Sequence, residues 1–221
     1  MKRLLAIALL LAFSTAIQGF EIADWTLKGT GTAVVVNKDY ALTAAHVLED
    51  CDAASIRYKH KEIQADIVAL DSTNDLGLLL LEEPFEQTAK FRGGKPVRKG
   101  DTVVNYGYPL FGQLSDAAKI SKGVINALAG WSNDSRHIQY DAPTQPGNSG
   151  GPVLNWKGAV IGIIAARSSM LQNIAIMTKL ENLIELVKKQ NIVLTTRLPN
   201  TNLTTEEGVR RYVYRVLCFS S

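Results

Sequence analysis

The segment Gln145-Pro146-Gly147-Asn148-Ser149-Gly150-Gly151-Pro152 constrains this chain more than any other. Three glycines around one serine let the backbone take positive φ and come close to a ligand. Such a turn can expose a hydroxyl and aim amide N–H groups at one point. Acyl transfer needs that arrangement, because the developing oxyanion must meet donors that are already in place. The apolar run from Ala159 to Ala166 follows closely and reads as a strand. A serine alone is a weak nucleophile, so a base and an orienting carboxylate have to come from elsewhere. Without them the same string is a glycine-rich surface turn.

Chain order narrows the choice. Gly147-Asn148-Ser149-Gly150-Gly151 fits the G-x-S-x-G elbow of α/β-hydrolases, but that fold places its histidine after the serine. The three histidines of this chain, His46, His60 and His137, all precede Ser149. The elbow reading is excluded on that ground. His46 ends the apolar stretch Leu42-Thr43-Ala44-Ala45-His46-Val47, whereas His60 lies in the charged run Tyr58-Lys59-His60-Lys61 and is the weaker base. Asp75 stands at the mouth of Leu76-Gly77-Leu78-Leu79-Leu80-Leu81, a run that reads as a buried strand, with Asp71 as a nearby competitor. A carboxylate held there can orient an imidazole and stabilise its charged form.

Composition bounds what surrounds this constellation. The 221 residues suffice for one domain or two small packed units. Residues 1–19 differ from the rest: Lys2 and Arg3 precede the apolar run Leu4 to Phe13, and small residues follow. That is the layout of a secretory signal, with cleavage expected after Ala16 or Gly19, and the run is too short for a membrane anchor. An exported protein, periplasmic or secreted, is therefore expected. Removing 1–19 takes away two cations and no acid, so the formal charge falls from +3 to +1. A nearly neutral chain gives no support for nucleic-acid binding, and no membrane contact is expected once the signal is removed. Export permits a disulfide. Cys51 and Cys218 either pair, tying the C-terminal segment to the region just after His46, or remain two separate thiols.

Short strand-like runs fill most of the remaining sequence: Gly31 to Val36, Tyr40 to Thr43, Ser55 to Tyr58, Ile63 to Leu70 and Leu76 to Leu81. A second series follows at Thr102 to Tyr106, Ile120 to Leu128, His137 to Tyr140, Gly151 to Leu154 and Ala159 to Ala166. Many short strands with turns between them indicate barrels or a sandwich. The stretch from Glu82 to Lys99, with two prolines and two glycines, suits a linker between units. Thr178 and Glu181 have capping-box spacing ahead of a helix whose face carries Leu180, Leu183, Ile184 and Val187. In the tail, Thr204 and Glu207 have the same spacing, but alternation from Arg211 to Leu217 equally permits a strand.

Taken together, T-A-A-H-V at His46, N-D-L-G-L at Asp75 and G-N-S-G-G-P at Ser149 resemble the chymotrypsin-like (trypsin-fold) serine proteases. The spacings and the shortage of cysteines look most like the bacterial HtrA/Deg-type protease domain without a PDZ domain. The resemblance covers about residues 25–190. It implies an all-β fold of two antiparallel six-stranded β-barrels with a C-terminal helix and the active site between the barrels. The protease domain would occupy 20–190, with barrel one at about 20–93, barrel two at about 94–178, the helix at about 179–190 and a tail at 191–221.

By the same resemblance His46, Asp75 and Ser149 would be the catalytic triad of an endopeptidase acting on protein or peptide substrates without a cofactor or metal. The amides of Gly147, Asn148 and Ser149 would form the oxyanion hole. Asn148 replaces the aspartate that pairs with a newly cut N-terminus in trypsin-like zymogens, so that route of activation is not expected. Ala165 stands where this family often offers a hydroxyl to the catalytic aspartate. Gln139-Tyr140-Asp141 also resembles the glutamyl endopeptidases, but Ile164 replaces the histidine with which they recognise glutamate. A small apolar primary pocket lined by Pro143, Thr144, Ile164, Ala165 and Ala166 is expected, unless Arg167 recruits an acid. The competing readings are a protein-binding module that keeps the cleft without turnover, and an esterase on the same fold.

Overall fold

The computed structural model describes residues 25–93, 95–113, 117–167, 173–196 and 206–221. The expected signal segment 1–19 lies outside them. Among the described residues, twelve strands form two closed antiparallel barrels. The first joins β1 (Thr26–Val35), β2 (Tyr40–Thr43), β3 (Ala53–Tyr58), β4 (Lys61–Asp71) and β5 (Leu76–Leu81). The second holds β6 (Thr102–Gly107), β7 (Lys119–Ala127), β8 (His137–Tyr140), β9 (Pro152–Asn155), β10 (Val160–Arg167) and β11 (Ala175–Lys179). The first barrel takes its sixth strand, β12 (Val213–Ser220), from the far end of the sequence, between β1 and β3.

That strand is where the structure departs most from the sequence reading. Within residues 191–221, expected as a tail beyond the domain, Val213–Ser220 is a strand of the first barrel. Val213, Val216, Leu217 and Cys218 of β12 are all but fully buried. Of the two readings open for this stretch, the strand holds from Val213 onward, and among the described residues a helix covers Glu206–Val209. Thr204 lies outside the described residues.

The second barrel explains why several of its strands read as unbroken apolar runs. On β6 and β9, Val103 and Val153 point into the barrel interior with Ile125, Ile138, Tyr140, Ile161, Ile164 and Met177. Their neighbours Val104 and Leu154 face the other way, into the core shared with the first barrel and the helix, as do Val160 and Ile163 of β10. Strands buried on both faces lose the alternation that marks a half-solvated strand.

Helix α1 (Leu180–Lys189) packs Leu180, Leu183, Leu186 and Val187 into the shared core. Leu186 takes the buried place expected for Ile184, which packs at the margin. The expected capping box is absent. Lys179 is the N-cap, without a side-chain bond, and Thr178 belongs to β11 and sends its hydroxyl to the Asn74 carbonyl at 2.8 Å. Nor is the connection between the barrels loose. Phe85, Ala89 and Phe91 are buried, and the backbone of this stretch bonds to Lys38, Val35 and Val160.

Cys51 and Cys218 form a disulfide, with their Cα atoms 5.4 Å apart. It joins β12 to the segment that follows the His46 turn. No described helix is long and apolar enough to cross a membrane.

Candidate active site

His46 sits in a single 3-10 turn, Ala45–Val47, reached from β2 through an extended Ala44. Its backbone N–H donates to Asp75 Oδ1 at 3.0 Å. The ring Nδ1 lies 3.0 and 2.9 Å from the two carboxylate oxygens of Asp75. Three contacts from one carboxylate fix both the turn and the ring, so Nδ1 carries the proton and Nε2 is left to accept one. The hydrogen bond to Asp75 raises the His46 pKa above its ordinary value, against the opposing effect of partial burial; the charges of Asp75 and Glu49 add to the rise.

Asp75 itself is a non-glycine residue at φ 54°, in the left-handed region. Such a conformation persists where the surroundings hold it, and here both barrels do. Asp71, the competing acid, accepts the Asn74 amide and side chain at 3.0 and 2.7 Å and so shapes the turn. The second barrel grips the same turn through Thr178 on Asn74 O and the Arg136 guanidinium on Thr73 O.

The serine loop runs from β8 to β9. Asn148 N donates to Gln145 O and Gly151 N to Asn148 O, making a tight double turn with Gly147 at φ 92° and Gly150 at φ 85°. Gly150 could not carry a side chain, because a Cβ there would collide with the Thr32 carbonyl. The loop is tied to the first barrel by Thr32 N on Ser149 O at 2.8 Å and Thr32 Oγ1 on Gly147 O at 2.7 Å. It is tied to β10 by Gly150 N on Ile164 O. Among the described residues the amides of Gly147 and Ser149 have no acceptor within the chain. The Asn148 amide is engaged with Gln145 O, so of the three expected oxyanion donors it is the one already occupied.

His46, Asp75 and Ser149 line one cleft of about 370 Å³ together with Thr144, Gln145, Pro146 and Ala165. A second recess of about 270 Å³ continues past Ser149 toward Thr30, Glu49 and Cys218. Ser149 Oγ forms no hydrogen bond among the described residues; catalytic contacts of this kind often close only around substrate.

The expected primary pocket is met in part. Thr144 and Ala165 face the cleft, and Ala165 brings no hydroxyl toward Asp75. Ile164 is fully buried in the second core, and Pro143 is exposed with its carbonyl accepting the Ser121 hydroxyl. The side chains of Ala166 and Arg167 lie outside the described residues. Gln145 and Pro146, which belong to the serine segment but are not among the expected pocket residues, also line the cleft; their place next to the glycine turn is the sequence signal for it. His60 is exposed in the β3–β4 turn, and His137 is held by Asp134 at 3.1 Å on β8, so neither competes as the base.

Two six-stranded barrels with a histidine–carboxylate pair and a serine on a glycine turn between them define the chymotrypsin-like class. Comparison with known proteins agrees. A sequence model of the trypsin-like peptidase domain matches residues 31–163, and the chain belongs to that family. It is 38% identical over 148 residues to protein y4bJ of Sinorhizobium fredii, covering 66% of this chain and 23% of that protein. It is 37% identical over 133 residues to the serine protease Do-like HtrA of Lactobacillus helveticus, covering 57% of this chain and 32% of the relative. The chain thus spans about a quarter to a third of the length of these curated relatives. Among solved structures, the HtrA-type protease AlgW with decapeptide aligns at a TM-score of 0.64 and 26% identity, covering 72% of this chain and 50% of AlgW. The serine endoprotease from Yersinia pestis aligns at 0.63 and 24%, over 73% and 57% of the two chains, and shares the fold.

Proposed function

We propose that this protein is an exported serine endopeptidase that cleaves protein or peptide substrates through an acyl-enzyme. His46 Nε2 takes the Ser149 proton as Oγ attacks the scissile carbonyl, then returns it to the leaving amine. Water repeats the cycle to release the acyl group. Asp75 keeps the proton on Nδ1 and stabilises the imidazolium. The Gly147 and Ser149 amides receive the oxyanion, each such donor contributing roughly 10²–10³ in rate. The side chain before the scissile bond rests against Thr144 and Ala165, which favours an aliphatic group over a charged one.

The observation that carries this reading is the double contact of His46 Nδ1 with Asp75, at 2.9 and 3.0 Å, on the cleft that Ser149 also lines. Its test is labelling of the intact protein by a fluorophosphonate probe, with peptide turnover measured in parallel. Labelling and turnover that both vanish in Ser149→Ala support an endopeptidase. A wild-type protein that neither labels nor hydrolyses peptides is the binding module instead. Hydrolysis of esters alone makes it an esterase.

A further inference from the structure

Strand β9 leaves the Ser149 loop at Pro152 and ends at Asn155, roughly 10 Å farther along at the usual rise of a strand. Beyond that end, a cleft of about 500 Å³ opens between the β9–β10 turn and the segment entering the second barrel. Its apolar lining comes from Pro96, Val97 and Ile161. Over it stands Trp156, an indole 64% exposed. This is not a side chain on a loose tip: Asn155 Oδ1 accepts the amides of Lys157 and Ala159, both at 3.0 Å, and Gly158 closes the turn at φ 81°.

The charge around this floor is one-sided. Arg92, Lys95, Arg98 and Lys157 line the cleft with a single acid, Asp101. Asp101 is engaged, accepting the backbone N–H of Arg98 at 2.8 Å. Arg92 pairs with Glu181 at 3.3 Å, yet its Nε is buried without a partner. Lys95, Arg98 and Lys157 form no ion pair with any described residue, and the Lys157 ammonium sits 5.0 Å above the Trp156 ring. Three cations without an ion pair, facing one carboxylate beside an exposed aromatic surface, leave an excess of positive charge that matches a ligand bringing carboxylates and an apolar side chain together. A nucleic acid would ask for a longer run of phosphate contacts than three cations supply, and it would leave the apolar floor unused.

We propose that this cleft is a docking site for acidic peptide segments that carry an aromatic or aliphatic residue, remote from the Ser149 cleft and independent of whether Ser149 turns over. The test uses the full chain and two fluorescein-labelled octapeptides of two phenylalanines and six other residues, either all glutamate or all glutamine. Binding is read by anisotropy at low and high salt, and mass spectrometry checks that the peptides remain intact. The glutamate peptide is expected to bind at least about tenfold tighter, by an advantage that salt erodes. Arg98→Glu with Lys157→Glu should abolish that advantage. Trp156→Ala, a change at an exposed position, should weaken both peptides about equally while leaving the thermal melt unchanged. Equal binding of the two peptides, indifference to the Trp156 change, or equally tight binding of a single-stranded DNA octamer would each overturn the proposal.

Discussion

Replacing both cysteines with alanine tests how firmly β12 is held. The bond between Cys51 and Cys218 closes a loop across a sequence separation of 167 residues. In the chain-entropy model a loop of that size restricts the unfolded ensemble by about 5 kcal/mol. For a domain of this length that corresponds to a fall in Tm of roughly 10–20 °C. Cys218 is 1% exposed, so trimming its sulfur adds on the order of 1 kcal/mol of lost packing. The assay is urea unfolding of the wild type and the double variant, each with and without reductant. Reductant should destabilise the wild type nearly to the level of the variant and leave the variant unchanged. Below the melting transition the variant should keep its peptide turnover, because Asp75, not the disulfide, fixes the His46 ring. A loss of stability under about 1 kcal/mol with an unchanged m-value, or an equal effect of reductant on both proteins, would refute the loop argument.

Four further outcomes are expected. The Asp75 contact raises the His46 pKa, so the acid limb of kcat/KM should lie above the ordinary histidine value of 6.5, and Asp75→Asn should lower it while reducing turnover by roughly 10³–10⁴. The sign for stability is the opposite of that for activity: the pair's contribution is fully present below the unfolded pKa and is lost as pH rises through the raised one, which a pH series of melts would detect. Thr178→Val removes the second barrel's bond to the Asn74 carbonyl and should lower kcat by roughly ten- to a hundredfold with little change in KM, a split measurable on a peptide substrate. Gly150→Ala forces a Cβ onto the Thr32 carbonyl at a φ of 85°, at a cost above about 1–3 kcal/mol, and soluble yield with Tm would report it.

How much of this was legible in the sequence depended on how local each signal is. The triad candidates were readable because each sits in a short string of distinctive chemistry, and chain order then removed the rival fold. Ten strands were legible as short runs rich in apolar or β-branched residues bounded by turn residues. β11 was not, because Ala175–Lys179 is short and its Thr178 mimics a helix cap while bonding across to Asn74. β12 was ambiguous, since Val213, Val216 and Leu217 satisfy a helical period as well as a strand buried on both faces. Only pairing with Gly31, Ala33 and Val34, at the other end of the sequence, decides between them. The engagement of the Asn148 amide and the burial of Ile164 depend on loop closure and bulges, which no residue pattern announces.

The place of β12 has a consequence for timing. The second barrel draws all its strands from one continuous stretch ending at Lys179, whereas the first cannot close until residues up to Ser220 have been made and have found β1. The imidazole lies on the late-closing barrel and the serine on the early one. A nascent chain that has not yet reached β12 therefore holds Ser149 on a barrel that can close and His46 on one that cannot, so the two halves of the site come together only once β12 is in place.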